Sequence, residues 1–350
     1  MPERAIRYCE AIGEALDYCL SADPAVYLMG LGVPDPKGVF GTTLGLQAKY
    51  GARRVMDMPT SEAGMTGVAI GSALIGMRPV MVHQRLDFAL LALDQIVNQA
   101  AKWNYMFGGD HGVPLVIRLI LGRGWGQGAQ HSQNLQSWLA HVPGLKVIAP
   151  ATPYDAKGML IAAIEDPAPV LCLEHRWLFN VAGEVPAQPY RVPIGTAGYL
   201  SRGGDVTLVA SSYMSVEALR AARILYREGI AAEVIDLRSL RPMDEETIVA
   251  SVRNSGRLIV ADQAWKPAGI AAEVVALIAE HAHDRLKAAP IRLTLADAPA
   301  PAAPALAARY YPGAREIVAA ACRMMGRDPI SIPAPRHPHD VPDPDFHGPF

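Results

Sequence analysis

The sequence predicts an α/β fold built from two consecutive doubly wound parallel sheets. Three observations predict it. Short apolar, β-branched runs alternate with longer stretches of helical period. The runs are continuously apolar, as in strands covered by helices on both faces. The alternation breaks around Gln188–Asp205, where composition shifts to Pro, Gly, Ser and Arg, and then restarts. A chain of 350 residues is long enough for two such domains.

In the first series the strands are expected at Ala25–Gly30, Arg54–Pro59, Pro79–His83, Pro114–Leu119, Leu145–Pro150 and Pro169–Glu174. The intervening helices are expected at Glu62–Leu74, Phe88–Met106, Asn134–His141 and Tyr154–Ile164. An amphipathic helix precedes them, with Ile6, Cys9, Ile12, Leu16 and Cys19/Leu20 on one face. The second series reads as strands Val206–Ser211, Ala232–Leu237, Arg257–Asp262 and Ile291–Ala296. Its helices fall at Val216–Glu228, Asp244–Val252, Ala268–His281 and near Ala314–Met325. Asp297–Pro304 (DAPAPAAP) reads as a linker, and residues 331–350 as a Pro/His-rich tail.

Composition excludes several classes of protein. Apolar residues make up 51% and charged residues 19%, the opposite of a disordered chain. A net charge of −2 supplies no basic field for nucleic acid. No run of about 18 apolar residues is present to span a membrane. Four cysteines without metal-ligand spacing suit buried small hydrophobes in a reducing compartment, so a cytoplasmic location is expected. The low charge fraction also points to surface hidden against other subunits.

Two constellations carry chemistry. The first is Asp57-Met-Pro-Thr-Ser-Glu62-Ala-Gly-Met-Thr-Gly67-Val-Ala-Ile-Gly71. Thr60 or Ser61 is placed to cap the helix that follows, and Glu62 falls in its first turn. That position lies at the carboxyl edge of a parallel sheet, where open α/β sheets bind ligands. Gly64, Gly67 and Gly71 leave one face of this helix nearly bare, open to close approach. The second is the glycine-rich loop Gly122–Gln133 (GRGWGQGAQHSQ), with His131 as a candidate acid/base near neutral pH. His83, Arg85 and Trp125 are candidates for the same mouth. The fingerprints GxGxxG, GxxxxGK[ST], GxSxG and HExxH are absent, which demotes Rossmann hydride transfer, P-loop chemistry, elbow-serine hydrolysis and zincin proteolysis.

At these residues the sequence resembles the β subunit of the thiamine-diphosphate-dependent 2-oxo-acid dehydrogenase first component, of the pyruvate, branched-chain and acetoin types, in the transketolase-like superfamily. The resemblance rests on RVMDMPTSEAGMTGVAIGSALIGMRPV (54–80), DFALLALDQIVNQAAKWNYMFGG (87–109), QHSQ (130–133), PGLKVIAPATPYDAKGML (143–160) and AAEVIDLRSLRPMDEETI (231–248). It runs in unbroken order from about residue 5 to 325.

The resemblance implies a pyrimidine-binding domain over 1–190 and a transketolase C-terminal domain over 191–330. It implies that Glu62 hydrogen-bonds the aminopyrimidine of thiamine diphosphate, that Phe88 packs on that ring, and that His131 handles protons and guides acyl transfer. It also implies a structural K⁺ on carbonyls near Leu115, Ala163, Asp166 and Ala168. The GDG…Asn motif that holds Mg²⁺ and the diphosphate in this superfamily is missing. A separate α subunit is therefore expected to supply it, in an α₂β₂ heterotetramer that a lipoyl-bearing acyltransferase would serve. The chain departs from the family at Met81–Leu86, at Leu119–Trp125 and at Gln263. Those departures keep open a carboligase or non-oxidative decarboxylase on the same α/β split, and, with less support, a non-catalytic scaffold.

Overall fold

The computed structural model describes residues 4–122 and 126–332. The chain forms two compact units. The first comprises the residues up to Leu121 together with Trp138–Ile194; the second comprises Gly122–Ser137 and the described chain from Gly195 onward.

The first unit contains α1 (Tyr8–Ala22), β1 (Val26–Gly30), β2 (Val55–Met56), α2 (Glu62–Leu74), β3 (Arg78–His83), β4 (Val116–Leu121), β5 (Lys146–Ile148), α3 (Pro153–Glu165) and β6 (Val170–His175). Its strands lie side by side in the order β5-β6-β4-β3-β1-β2, all parallel. The chain leaves β1 toward one edge of the sheet and leaves β3 toward the other. The carboxyl ends of β1 and β3 therefore flank a topological switch point, the place where such sheets open a crevice. Strands β1, β4 and β6 are buried along their whole length, as their unbroken apolar runs require. Gly30 ends β1 because a Cβ there would meet the Val82 carbonyl oxygen at 2.6 Å. Helix α1 packs on α3 through a face that includes Cys9, Ile12, Leu16, Cys19 and Leu20. Thr152 caps α3, its Oγ1 accepting the Asp155 N–H at 3.0 Å, with Pro153 in the first turn.

Inside the sheet, Arg118 on β4 and Glu174 on β6 form an ion pair of 2.6 Å with both side chains fully buried. The guanidinium also donates to Thr42 Oγ1 at 2.9 Å. Two charges withdrawn from water this far are tolerable only because each satisfies the other.

The second unit contains β7 (Gly198–Ser201), β8 (Val206–Ala210), α4 (Tyr213–Arg227), β9 (Ala232–Asp236), α5 (Glu245–Ser255), β10 (Leu258–Trp265), α6 (Ile270–His281), β11 (Ile291–Leu295) and α7 (Ala314–Met324). The sheet order is β11-β10-β8-β9-β7, parallel except for the antiparallel edge strand β7. Leu208, Val234 and Ile259 of the sheet pack with Ala218, Leu225, Ile317 and Ala321 of α4 and α7 in one core. Asp244 caps α5 by accepting the Thr247 N–H at 3.1 Å, and Gly256 ends it in the left-handed region at φ 71°.

Several sequence expectations are corrected. Ser61 occupies the N-cap of α2 at φ −154° and ψ 71°, away from the usual capping geometry, and makes no side-chain capping bond. Ile6 lies in a short strand, Ala5–Arg7, ahead of α1. The stretch expected as one helix over Phe88–Met106 breaks into a single α-helical turn at Leu86–Ala89, a 3₁₀ turn at Leu90–Ala92, a π-helical segment at Gln95–Ala100 and an α-helix at Ala101–Met106. Strand β7 emerges from the Pro/Gly-rich stretch read as a boundary. The Pro/Ala linker runs into an unforeseen helix, Pro304–Tyr310.

Candidate functional site

The switch point of the first unit gathers the predicted residues. Asp57, just after β2, accepts the N–H of Gly32 with its Oδ1 at 2.9 Å and also that of Met58 at 2.9 Å. Gln84, just after β3, donates from Nε2 to the Leu31 carbonyl at 2.8 Å. These bonds tie the loops after β1, β2 and β3 together.

Glu62 opens α2 at this edge. It is 9% exposed, and among the described residues no side chain or backbone group is bonded to its carboxyl. Helix α2 packs on β3 and on the turn at Leu86–Ala89. One turn along from Glu62, Thr66 places its Oγ1 3.4 Å from His83 Nε2 and 3.4 Å from Met81 Sδ. His83 is 2% exposed, and burial lowers its pKa to about 4, so it is a neutral imidazole at physiological pH. Phe88 is half-buried in the Leu86–Ala89 turn, its N–H donating to the Arg85 carbonyl at 3.1 Å. The fold thus brings Glu62, His83, Arg85 and Phe88 to one end of one sheet.

Arg85 is also buried, which lowers its pKa against the opposing pull of Asp87. Beside it stands Arg176, at the end of β6, which composition and motif reading did not single out. Burial, and then the positive charge of Arg85, lower the Arg176 pKa to about 9. Its guanidinium lies 4.0 Å over the ring of Phe40. The signal that would have found Arg176 is its position just after an apolar strand, at the same carboxyl edge. Two buried guanidiniums therefore share that edge with the carboxylates of Asp57, Glu62 and Asp87.

His131 lies in the segment Gly122–Ser137, which belongs to the second unit. It is half-buried, with its N–H 3.4 Å from the Gly128 carbonyl. Trp125 lies outside the described residues, as does most of the Pro/His tail. Asp262, in β10, is a further titratable group: burial raises its pKa to about 6, and Gln136 Nε2 donates to its Oδ1 at 2.8 Å.

The four carbonyls considered for K⁺ sit around the loop between α3 and β6. Those of Leu115 and Ala163 accept the N–H groups of Val170 and Asp166 at 2.9 and 3.3 Å. That of Asp166 accepts from Arg78 Nη1 at 3.4 Å, and Asp166 Oδ1 accepts the Ala168 N–H at 2.9 Å. A carbonyl oxygen has two lone pairs, so each retains acceptor capacity for a cation. Among the described residues no group of three or more His, Cys, Asp or Glu is arranged to hold a metal, and no helix is long and apolar enough to cross a membrane.

Comparison with known proteins places these features. The transketolase pyrimidine-binding domain matches residues 4–181, and the transketolase C-terminal domain matches residues 195–317. The chain is 44% identical over 325 residues to the acetoin:2,6-dichlorophenolindophenol oxidoreductase subunit beta of Cupriavidus necator, covering 90% of this chain and 96% of that one. It is 46% identical over 318 residues to the pyruvate dehydrogenase E1 component subunit beta-2, mitochondrial, of Oryza sativa subsp. japonica, covering 90% and 85%. Among solved structures it is similar to a split-gene transketolase described as an inactive beta4 tetramer. That match has a TM-score of 0.75 and 26% identity, and covers 92% of this chain and 98% of that one.

Proposed function

The chain belongs to the transketolase-like family of β subunits of 2-oxo-acid dehydrogenase first components, and from that premise we propose how its residues work. It is the β subunit of a thiamine-diphosphate-dependent enzyme that decarboxylates a 2-oxo acid together with a separate α subunit. The observation that carries this reading is Glu62, whose carboxyl has no bonded partner among the described residues, at the first position of α2 on the sheet's carboxyl edge. A carboxyl so placed fits the ring nitrogen of an aminopyrimidine.

When bound, thiamine diphosphate supplies the nucleophile and the electron sink for decarboxylation. Glu62 holds or shares a proton at the pyrimidine ring nitrogen, and Phe88 offers an aromatic face to that ring. His83, neutral and buried, hydrogen-bonds without adding charge. Arg85 and Arg176 attract the carboxylate of the 2-oxo acid. His131 moves protons and guides the acyl group toward a lipoyl carrier.

The α subunit supplies the missing GDG motif, and with it Mg²⁺ and the diphosphate, in an α₂β₂ heterotetramer. The likeness to a split-gene transketolase that is inactive as a beta4 tetramer supports a site that needs both subunits. The carbonyls near Leu115, Ala163, Asp166 and Ala168 hold a structural K⁺. Four buried free thiols suit a reducing cytoplasm. A carboligase outcome is favoured by the neutral His83 and the cationic Arg85 at the mouth, and analysis of whether acyl product or acyloin is released separates the two.

The test of the central reading is Glu62→Gln in the complex assembled with the α subunit. Proton handling by a positioned side chain contributes about 10²–10⁴-fold to rate, so kcat with an artificial electron acceptor should fall by that order. Turnover surviving nearly intact would sink the assignment.

A further inference from the structure

The loop bearing His131 has a buried polar attachment that the reading above leaves unused. Five residues beyond His131, Gln136 is 5% exposed, and its Nε2 donates at 2.8 Å to Oδ1 of Asp262, itself 3% exposed. Asp262 stands in β10, and its carboxyl faces the backbone N–H groups of Ala264 and of Ala271 in the first turn of α6. Gly269, ahead of α6, packs against the end of β10, where a Cβ would meet the Trp265 carbonyl oxygen at 2.6 Å. Asp262 thus sits on a strand of the sheet, beside the first turn of α6.

Gln136 opens a short helix, Gln136–Ala140, and so fixes the point where the His131 loop ends. Residues 126–135 contain no helix or strand. Gly126 and Gly128 adopt φ of 69° and 68°, and Cβ atoms there would lie 3.7 and 3.5 Å from atoms of Ala302. Asn134 is 2% exposed, and among the described residues neither of its amide atoms is bonded.

We propose that the Gln136–Asp262 hydrogen bond is the positioning device that holds the His131 loop in its working conformation. The proposal rests on the reading of His131 as the residue that moves protons and guides the acyl group. Gln136 and Asp262 touch neither substrate nor cofactor in this account; they act through His131. The bond suits the task because its acceptor is a carboxylate in a water-poor surrounding, where a charge-assisted hydrogen bond is strong and directional. A misplacement of about 1 Å at a reacting group costs up to about 10²-fold in rate.

The experiment uses the complex assembled with the α subunit, a 2-oxo acid and an artificial electron acceptor. Gln136→Leu is expected to lower kcat by about 10–100-fold, with thiamine diphosphate affinity unchanged. Asp262→Asn keeps an acceptor oxygen and should restore most of the kcat that Asp262→Leu loses. Gln136→Glu sets carboxyl against carboxyl, a pair that takes up a shared proton. Its kcat should therefore gain an acid-side optimum that the unmodified enzyme lacks, a signature that a merely structural defect would not produce. Wild-type kcat in Gln136→Leu alongside an impaired His131→Ala overturns the proposal, as does an unchanged pH profile in Gln136→Glu. Wild-type kcat in His131→Ala overturns instead the His131 reading on which it rests. Should Gln136→Leu fail to fold, the pH profile of Gln136→Glu and the Asn/Leu comparison at Asp262 decide alone.

Discussion

At the scale of single residues, burial sets the chemistry. His83 ends β3 with the Thr66 hydroxyl 3.4 Å from its Nε2, and among the described residues no carboxylate offsets the cost of burying a charge there. The folded chain keeps this ring neutral down to pH about 4, whereas the unfolded chain protonates it near 6.5. Unfolding therefore takes up a proton between those values, and stability falls as pH drops through that window. His83→Gln, which cannot titrate, should flatten the acid limb of a denaturation series between pH 6.5 and 4 by up to about 3 kcal/mol, with no change above pH 7. An acid limb identical in both proteins would show that His83 carries its proton in the fold. The sequence marked His83 as a candidate because it ends an apolar strand, but not as neutral, since the atoms around it come from α2 and β3 together.

At the scale of elements, what was legible followed local pattern, and what was not depended on distant partners. Helix α2 was readable to its ends, because the Pro-Thr-Ser segment stops a strand and the apolar residues then recur at helical spacing. The broken helix after Leu86 was not, since its apolar residues fit an unbroken helix and only packing against α2 decides where it changes pitch. Glu62 was legible as a first-turn carboxyl. Arg176 and the Gln136–Asp262 bond were not, because each depends on contacts far away in sequence, Arg176 to Phe40 across 136 residues and Gln136 to Asp262 across 126. The loop from α3 to β6 carries its own prediction. With Lys146 Nζ on Asp166 Oδ2 at 2.5 Å and Arg78 on the adjoining carbonyls, it is already pinned by cations. A K⁺ on the Leu115, Ala163, Asp166 and Ala168 carbonyls would add ligand linkage to this clip. Thermal unfolding should then rise in midpoint with K⁺ at constant ionic strength, relative to Na⁺. Equal midpoints in the two salts would remove the K⁺ assignment.

At the scale of the whole molecule, the charged fraction of 19% and net charge of −2 leave much surface to be covered by apolar side chains. In the first unit that surface has an address. Val68 is 56% exposed and Ile75 83% exposed on and just after α2, and Leu91 is 67% exposed in the segment that packs against α2. On the same helix, a Cβ on Gly71 would meet nothing within 4 Å and one on Gly67 only Gln95 Cγ at 3.9 Å, so backbone is open to close approach. Large apolar side chains beside bare backbone are costly in water and favourable under a partner. Because α2 begins at Glu62, a subunit seated there would also close the end of the crevice that holds the carboxyl. Val68→Asp, on the solvent side of α2, should leave the isolated chain folded, with its far-ultraviolet spectrum and thermal midpoint close to the unmodified values. It should weaken assembly by at least about tenfold, read as the α-subunit concentration needed for half-maximal activity, since burying an unpaired carboxylate costs well over 1.4 kcal/mol. Sedimentation of the β chain alone tells which partner is lost: a fall in self-association would place a second copy on α2, and an unchanged β oligomer with weakened reconstitution would place the α subunit there. Assembly and activity indistinguishable from the unmodified chain would mean that α2 faces solvent in the complex, and the surface that the low charge implies would have to be sought elsewhere.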